Sequence, residues 1–541
     1  MGSSPFPCMK VHIFETCCHF LSRVCRYLAV RSSPFRIQFS YFVSVSLIGF
    51  FVLKILSPKK DTYRPRDLDV FFMSVSATTV SSMGTVEMEV FSNAQLVVFV
   101  LLMLVGGEVF TSMLGLQFMK TKLKRCDDGA KPKDDFVGGE LPAAAEFSLD
   151  SNGRIQMEMT AMPDVENPAS AVGFINQFMG GSEELKYSCV RYLGFVVLGF
   201  LLVTQAVGSV AVLVYLSVIT SARDVVKKKG INVVIFSIFT SISTFTNCGF
   251  IPTNENMMIF KKNSGLLLLL IPLILSGNTL FAPCLRLLIW VLRKFVKGAK
   301  FESEYMLKNP KEIPYEYLLP SYYCMRLFLT VLSFIAVQLV LFCCLEWYSP
   351  ELEGMSSYRK IVAALFQTVN SRHSGESSVN LAKLSPAILV LYAVMMYLPP
   401  QTAFLPTESR ERSTHHRDEQ NEQKGLLQSF MLSQLSYLAI FIILICITER
   451  KKMSEDPLNF NLLNITIEVV RQVSDFAYGN VGFSMGYSCE LQLKPDGHCK
   501  DPFYGFSGRW SRQGKLILIV VMFFGRLKKF SRGGGKAWQL K

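Results

Sequence analysis

Residues 239–250 read FTSISTFTNCGF and form a short polar segment between two long apolar runs. The segment is too rich in Ser, Thr and Asn to face lipid, and Gly249 stands one residue before its end. Three other segments share its pattern of a leading Phe, short hydroxyl or amide side chains, and a small residue near the end. They are Phe72–Gly84 (FMSVSATTVSSMG), Phe366–Glu376 (FQTVNSRHSGE) and Phe476–Met485 (FAYGNVGFSM). An internal repeat of this kind predicts a repeated architecture.

Long apolar runs flank these four segments. They occupy residues 35–56, 94–119, 187–219, 265–292, 326–346, 385–398, 426–448 and 515–525. A hydrocarbon core needs about 20 helical residues, which most of the runs supply, while the two shortest need flanking residues. With 50% hydrophobic residues, 43 Phe and 18% charged residues among 541, the chain is too apolar for a soluble domain. The sequence therefore predicts an all-α integral membrane protein with eight transmembrane helices, in four helix, pore-loop, helix repeats placed pseudo-fourfold around one pore.

The predicted boundaries follow the alternation of apolar and polar stretches. They are an amino-terminal arm 1–34, repeat A 35–119 with pore loop 68–84, a linker 120–186, repeat B 187–297 with pore loop 231–250, a linker 298–320, repeat C 321–406 with pore loop 358–376, a loop 407–425, repeat D 426–530 with pore loop 462–485, and a tail 531–541. Basic clusters in the arm, after the second and fourth runs and in the tail favour cytoplasmic placement of both termini. Basic residues at 59–66 and 227–229 fall on the opposite side and are exceptions to this rule. A multi-pass protein of the plasma membrane is expected.

The composition also bears on other classes of function. The net charge is +14, but the basic residues are spread between the apolar runs and do not cluster on one compact domain. This distribution argues against nucleic acid as a partner. The chain has no HExxH, GxSxG or P-loop motif, which argues against an enzyme. A receptor or scaffold without conduction would leave the four polar segments unexplained. Plain polar linkers are a further alternative, but linkers have no reason to repeat one pattern that leads to a small residue.

The small residues near the ends of the four segments are candidates for a selectivity filter. Non-helical backbone survives at membrane depth only where protein buries it or where it lines a water-filled cavity. Backbone carbonyls on an extended strand can replace the water oxygens around an alkali cation, and glycine permits such a strand. Gly249, Gly375 and Gly482 fit these positions, and Ser82 stands at the fourth. The expected ligand is a permeant Na⁺, with K⁺ as the alternative, held transiently by filter carbonyls. No cofactor and no resident metal are expected.

Ten ordered motifs carry a family resemblance from about residue 35 to the carboxyl terminus. They read SVSATTVSSM, GGEVFTSMLGL, STFTNCGFIPTNENM, SGNTLF, LEGMSSY, NSRHSGE, LSPAILVLYAVMMYLPP, LNITIEV, YGNVGFSMGYSC and RWSRQGKLILIVVMFFGR. With these motifs the chain resembles the plant high-affinity potassium transporter (HKT) family, which is akin to the microbial Trk and Ktr potassium uptake proteins. The resemblance implies monovalent cations and the lipid bilayer as partners, and a homodimer with one pore per subunit.

The resemblance also bears on ion selectivity. Members with serine at the end of the first pore loop resemble sodium-selective transporters, whereas members with glycine there are usually permeable to both potassium and sodium. Ser82 therefore implies sodium-selective transport, and potassium or mixed sodium and potassium uptake is the alternative. Gly84 departs from the serine, alanine or valine of many relatives and would loosen the loop.

Three residues inside the apolar runs are candidates for gating or pore lining. Glu108 stands in the second run, where an ionisable group costs about 2.5–3.5 kcal/mol on insertion scales. It is either functional or a structural, internally hydrogen-bonded residue. Arg526 lies about 15 residues into the last helix, where it either snorkels to the interface or faces the conduit. The resemblance favours the conduit, where its charge would slow cation flux. Asn278 interrupts the fourth run and is an alternative seat of selectivity.

Two modifications are predicted at the outer side. Asn464 in Asn-Ile-Thr466 is a candidate N-glycosylation acceptor because it precedes the fourth pore segment. Cys489 and Cys499 bracket a polar loop that the predicted topology places outside, where a disulfide can form. An unbonded pair is the equal alternative. The other cysteines are scattered, many of them within apolar runs, and fit ordinary buried thiols.

Overall fold

The fold was examined in a computed structural model. It describes residues 34–59, 64–129, 147–149, 155–157, 168–296, 298, 300–313, 315–398, 434–473, 483–492 and 504–531. The described part is helical apart from one antiparallel pair of three-residue strands, β1 (Phe147–Leu149) and β2 (Ile155–Met157). The expectation of an all-α chain therefore holds for the apolar part, and the strand pair lies in the segment that was predicted to be a linker.

The first helices have the bounds α1 Pro34–Ile55, α2 Asp67–Thr78, α3 Asn93–Gly106 and α4 Glu108–Gly129. Helix α2 is short and is buried along most of its length, because it carries small hydroxyl residues and apolar residues on all faces. Helix α3 begins at a capping box, in which the Ser92 hydroxyl accepts from the Gln95 amide and the Gln95 side chain accepts from the Ser92 amide. The helices that precede and follow α2 both contact it.

The next helices are α5 Pro168–Val218, α6 Thr220–Lys228, α7 Val233–Thr246, α8 Ser264–Ser276, α9 Phe281–Phe295 and α10 Lys300–Lys308. Helix α4 runs past residue 119 and α5 begins before residue 187, so both extend into the predicted linker 120–186. Short α7 resembles α2 in its burial and in its Ser and Thr content. The Asn232 side chain caps its first turn by accepting from the amide of Val234 at 2.9 Å.

The remaining helices are α11 Ser321–Glu346, α12 Ser357–Asn370, α13 Pro386–Tyr397, α14 Gln434–Thr448, α15 Arg450–Glu455, α16 Leu462–Val473 and α17 Arg512–Ser531. Helices α12 and α16 correspond in this half to α2 and α7. Helix α12 follows the long apolar helix α11 directly, whereas the six-residue helix α15 separates α16 from the apolar helix α14. The four short helices α2, α7, α12 and α16 begin within two residues of the predicted pore-loop starts.

Helix packing follows a cyclic order. Helices α1, α2 and α3 contact one another, as do α5, α7 and α8, and as do α14, α16 and α17, while α11 contacts both α12 and α13. The helix after each short helix also contacts the short helix of the next group: α3 with α7, α8 with α12, α13 with α16, and α17 with α2. The last of these contacts closes the cycle.

Two glycines allow the longer helices to approach the short ones closely. A Cβ built on Gly106 would lie 1.9 Å from the backbone oxygen of Thr78 at the end of α2. A Cβ built on Gly277 would lie 1.8 Å from the backbone oxygen of Phe245 near the end of α7. At the same places the longer helices break, with a bend of 52° between α3 and α4 and of 83° between α8 and α9.

Three helices of the described residues are long and apolar enough to cross a membrane, and five if each bent pair counts as one crossing. Eight crossings are therefore not reached by length within this part of the chain. The outer helices nevertheless expose large apolar side chains, with Val207 of α5 and Val340 of α11 62% and 60% exposed. Such continuous apolar surface is typical of a lipid-facing belt.

Candidate cation filter

Three of the four predicted filter residues line one cavity. Ser82, Gly249 and Gly375 follow α2, α7 and α12 respectively and border a cavity of about 220 Å³. The fourth, Gly482, lies outside the described residues, but Ser484 two positions later borders the same cavity. The structure thus brings together loops that are separated by more than a hundred residues in the sequence.

These three residues also share one backbone conformation. The φ angles of Ser82, Gly249 and Gly375 are +56°, +75° and +72°. Glycine adopts this left-handed region readily, whereas a side chain makes it costly. Val80 and Asn247, which lie two residues before Ser82 and Gly249, also have similar positive φ angles, +57° and +58°. A β-branched residue such as valine is a rare occupant of this region, so the first loop is held in a strained conformation.

The loops approach one another too closely for added side chains. A Cβ built on Gly249 would lie 2.0 Å from the backbone oxygen of Ser374 and 2.8 Å from the Ser82 hydroxyl. The residue before Gly375 therefore presents its carbonyl to Gly249, and the Ser82 side chain reaches the same place. Neutral backbone and hydroxyl oxygens of neighbouring loops therefore meet at this place, and oxygens of this kind can replace the water around a cation.

Hydrogen bonds from the short helices fix the loop shapes. The amide of Ser81 donates to the backbone oxygen of Ser76 at 2.8 Å, and the amide of Met83 donates to the Ser76 hydroxyl at 2.8 Å. In the third loop the amide of Gly375 donates to the backbone oxygen of Asn370 at 3.2 Å. The small hydroxyl and amide residues of the repeated pattern thus satisfy loop amides that have no helical partner.

A buried ion pair braces the fourth loop, and the sequence analysis did not single it out. Arg471 donates to Glu468 at 2.8 Å and to the backbone oxygen of Phe483 at 2.6 Å, and the Ser484 hydroxyl lies 3.2 Å from both oxygens of Glu468. The side chains of the pair are completely buried. The sequence does contain a feature that could have indicated this ion pair: Glu468 and Arg471 are opposite charges three positions apart on a short segment between apolar runs.

Arg526 and Glu108 lie at the break between α3 and α4, away from the cavity described above. The Arg526 guanidinium donates to the backbone oxygen of Gly106 and lies 5.5 Å from the centre of the Phe42 ring. The Glu108 carboxylate accepts a hydrogen bond from the Tyr317 hydroxyl. A cation at the carboxyl end of α3 and a carboxylate at the amino end of α4 both complement the helix dipoles.

Asn278 lies at the other break, between α8 and α9, and its side-chain oxygen is buried without a hydrogen-bond partner among the described residues. Its neighbour Thr279 forms a hydrogen bond of 2.9 Å with the buried ring of His373 in the third pore loop. This break is therefore tied to the loop that carries Gly375. Asn278 does not border the cavity at Ser82.

The two predicted modification sites lie near α16. Asn464 stands in the first turn of this helix, where its side-chain amide donates to the backbone oxygen of Asn459 at 2.9 Å. Glycosylation of Asn464 stays a prediction. Cys489 is disulfide-bonded. Its predicted partner, Cys499, lies outside the described residues, so the pairing stays a prediction.

Comparison with known proteins decides the family. The family described as "TrkH: Cation transport protein" matches residues 181–533, which is more than half of the chain. The chain belongs to this family. Within it, the "Cation transporter HKT1;3" of Oryza sativa subsp. japonica is 48% identical over 512 residues, covering 94% of this chain and 92% of that protein. The resemblance to HKT transporters is thus confirmed.

Two further relatives and one solved structure extend the comparison. The "Sodium transporter HKT1" of Arabidopsis thaliana is 48% identical over 500 residues, with 90% of this chain and 91% of that protein covered. The "Cation transporter HKT2;4" of Oryza sativa subsp. japonica is 37% identical over 527 residues, with 96% and 97% covered. The potassium transporter TrkH from Vibrio parahaemolyticus has 15% identity and a TM-score of 0.46, with 93% of this chain and 84% of that chain covered.

Family membership settles the class of function. This HKT protein is a multi-pass membrane transporter of cations, and it is not an enzyme. The prediction of ion transport is therefore confirmed, whereas the filter residues and the preferred ion are not decided by membership alone.

Proposed function

We propose that this HKT protein conducts Na⁺ selectively through a pore whose filter consists of Ser82, Gly249, Gly375 and Gly482. The observation that carries the proposal is the φ angle of +56° at Ser82, which matches that of the two described filter glycines. A serine held in a glycine conformation keeps the ring shape and adds a side chain at one point of the ring. Sodium binds its ligands more closely than potassium, so a ring narrowed at one point disfavours the larger ion.

The cyclic packing supports a pseudo-fourfold pore with four helix, pore-loop, helix repeats. Each of the short helices α2, α7 and α16 contacts the helices before and after it in its own repeat, whereas α12 contacts only the helix before it closely. Each short helix also contacts the helix that follows the short helix of the preceding repeat. Gly106 against α2 and Gly277 against α7 make the same close approach in the first two repeats. Such a ring directs the four loops to one axis. Five crossings come from the three long helices and the two bent pairs. In this arrangement α13, α14 and α17, each lengthened by flanking residues, supply the other three of the eight crossings.

Sodium is proposed as the preferred ion on two grounds. One is Ser82, and the other is the 48% identity to the sodium transporter HKT1 of Arabidopsis thaliana. Potassium or mixed uptake remains the second candidate, and Gly84 favours it. A Cβ built on Gly84 would meet no heavy atom closer than 3.7 Å, so the loop beside Ser82 has room to widen. Current recordings in which external sodium is replaced by potassium distinguish sodium-selective from potassium or mixed transport. A sodium-selective protein must show a reversal potential that shifts with the external sodium concentration and not with that of potassium.

The location of the protein and its assembly are also proposals. The basic ends of the chain support a plasma-membrane transporter with both termini in the cytoplasm. A homodimer with one pore in each subunit follows from the family resemblance. Crosslinking of membranes and tagging of each terminus test these two points independently of conduction.

Replacing Arg526 by glutamine is expected to raise the sodium current per protein about two- to fivefold. A fixed positive charge in a low-dielectric conduit repels a passing cation, and glutamine removes the charge while keeping hydrogen-bond donors for Gly106. The current is normalised to the amount of protein at the cell surface. Arg526→Lys is the matched control, because it retains the charge and should retain the low current. A current that is equal in parent and Arg526→Gln would assign Arg526 to bracing of the helix break alone.

A further inference from the structure

The residue after each filter position shows one departure from the repeat. In the first, second and fourth loops this residue is a buried apolar one: Met83, Phe250 and Phe483. In the third loop it is Glu376, which is equally buried at 0% exposure. A carboxyl group at a position that is otherwise filled by apolar side chains costs desolvation energy. An interaction of Glu376 is therefore expected to offset this desolvation cost.

The surroundings of Glu376 satisfy only half of its carboxyl group. One side-chain oxygen accepts from the Thr244 hydroxyl at 2.7 Å, so the side chain links the third loop to helix α7. The backbone amide of Glu376 donates to the Asn370 side chain at 3.2 Å. The other carboxyl oxygen is buried and has no hydrogen-bond partner within the described part of the chain.

No basic side chain of the described residues forms an ion pair with Glu376. Arg372, four positions earlier, directs its guanidinium to the Phe334 ring, 4.9 Å from the ring centre. By contrast, the buried carboxylate of Glu468, which braces the fourth loop, is paired with Arg471 at 2.8 Å. Glu376 is therefore a buried carboxyl group next to a filter residue, and it has no ion-pair partner in the part of the chain that the structure describes.

The Glu376 side chain lies beside two of the filter loops, the second and the third. Glu376 is bonded directly to Gly375, and its side chain accepts a hydrogen bond from Thr244 of α7, the helix that leads into the loop of Gly249. Charged side chains are absent from the described lining of the cavity at Ser82, Gly249 and Gly375. A cation at this cavity thus meets neutral groups directly, and the Glu376 carboxyl group belongs to the same third loop, one residue after Gly375.

We propose that Glu376 is a positioning and affinity-determining residue for the permeant cation. Its carboxyl group, held by Thr244 beside the second and third loops, supplies negative charge when it is ionised, and this charge offsets the loss of water from a cation in the filter. The bound cation in turn stabilises the buried carboxylate, because opposite charges in a low-dielectric environment favour each other. This inference rests on the proposed conduction of sodium through the same loops.

The test is Glu376→Gln, which removes the charge and keeps an amide oxygen that can accept from Thr244. Unit charges about 10 Å apart at an effective dielectric constant of about 20 change binding by about tenfold. The half-saturating sodium concentration is therefore expected to rise about three- to tenfold, with the maximal current per surface protein changed less than about twofold. Glu376→Asp retains the charge and is expected to keep half-saturation within about twofold of the parent.

Glu353→Gln is the control, because Glu353 is an exposed carboxylate of the same repeat and its loss should leave half-saturation unchanged. Parental half-saturation in a surface-expressed Glu376→Gln protein would overturn the inference. If that variant does not reach the surface, Glu376→Asp decides, since a severalfold rise there would show that charge is not the cause. A parent that carries no sodium current would instead overturn the proposed function.

Discussion

Replacing Ser82 by glycine is expected to lower the sodium-over-potassium permeability ratio by about tenfold or more, while sodium current is retained. The substitution removes the Ser82 side chain, whose hydroxyl lies 2.8 Å from the Cβ position built on Gly249, and so leaves the space beside Gly249 open. Potassium then fits the widened ring. A tenfold change in the ratio corresponds to only about 1.4 kcal/mol of differential binding, which one hydroxymethyl group can supply.

The backbone conformation predicts that this variant folds at least as well as the parent. Ser82 has a φ of +56°, and a left-handed residue with a side chain costs about 1–2 kcal/mol more than glycine. A change in selectivity can therefore be measured without loss of protein. The assay is the shift of reversal potential when external sodium is replaced by potassium, in cells with equal amounts of parent and variant at the surface.

Ser356→Gly provides the matched control for this substitution. Ser356 precedes helix α12 with a side chain that makes no capping hydrogen bond, and glycine is tolerated at such a position. Its permeability ratio should equal that of the parent. An unchanged ratio in Ser82→Gly would move the seat of selectivity away from this residue, and Asn278 at the break between α8 and α9 would then be the next position to test.

The repeated pattern located the four polar segments, whereas the short helices at their beginnings were not predicted from it. Buried Ser and Thr residues that alternate with apolar ones have no favourable place in lipid, so the segments that begin near Asp67 and Val233 had to lie inside the protein. The glycines at 249 and 375 were recognisable because few other residues adopt a positive φ without strain. Ser82 was found only by its place in the repeat, since nothing in serine itself predicts a φ of +56°.

Other features depend on contacts between distant segments, and the sequence alone did not reveal them. The hydrogen bond between Glu376 and Thr244 spans 132 positions of the sequence. Arg526 was assigned to the conduit or to the interface, and its bond to the Gly106 carbonyl was not foreseen because that carbonyl is freed only where α3 ends. Pairing of one side chain with one unpaired backbone group is a property of the packed helices, which local patterns do not encode.

Replacing Gly277 by alanine is expected to reduce sodium current about tenfold or more. The added Cβ would lie 1.8 Å from the backbone oxygen of Phe245, and a backbone atom cannot escape by a change of rotamer. Overpacking of a core typically costs about 1–3 kcal/mol, and a clash with backbone stands at the upper end of that range. Either α8 or the end of α7 must move, and α7 leads directly into the loop that carries Gly249. The measurements are current and the amount of folded protein at the surface.

Gly199→Ala separates this clash from a general effect of the substitution. Gly199 lies on an exposed part of α5, and a Cβ built there meets no atom within 4 Å. Alanine is favoured over glycine inside a helix by about 1 kcal/mol, so this control should match or exceed the parent in folded protein. Gly106→Ala should behave like Gly277→Ala, because its built Cβ lies 1.9 Å from the Thr78 backbone oxygen. Parental current in both clash variants would mean that these helices can move away from the short helices without disturbing the filter, and the proposed ring of repeats would lose its main geometric support.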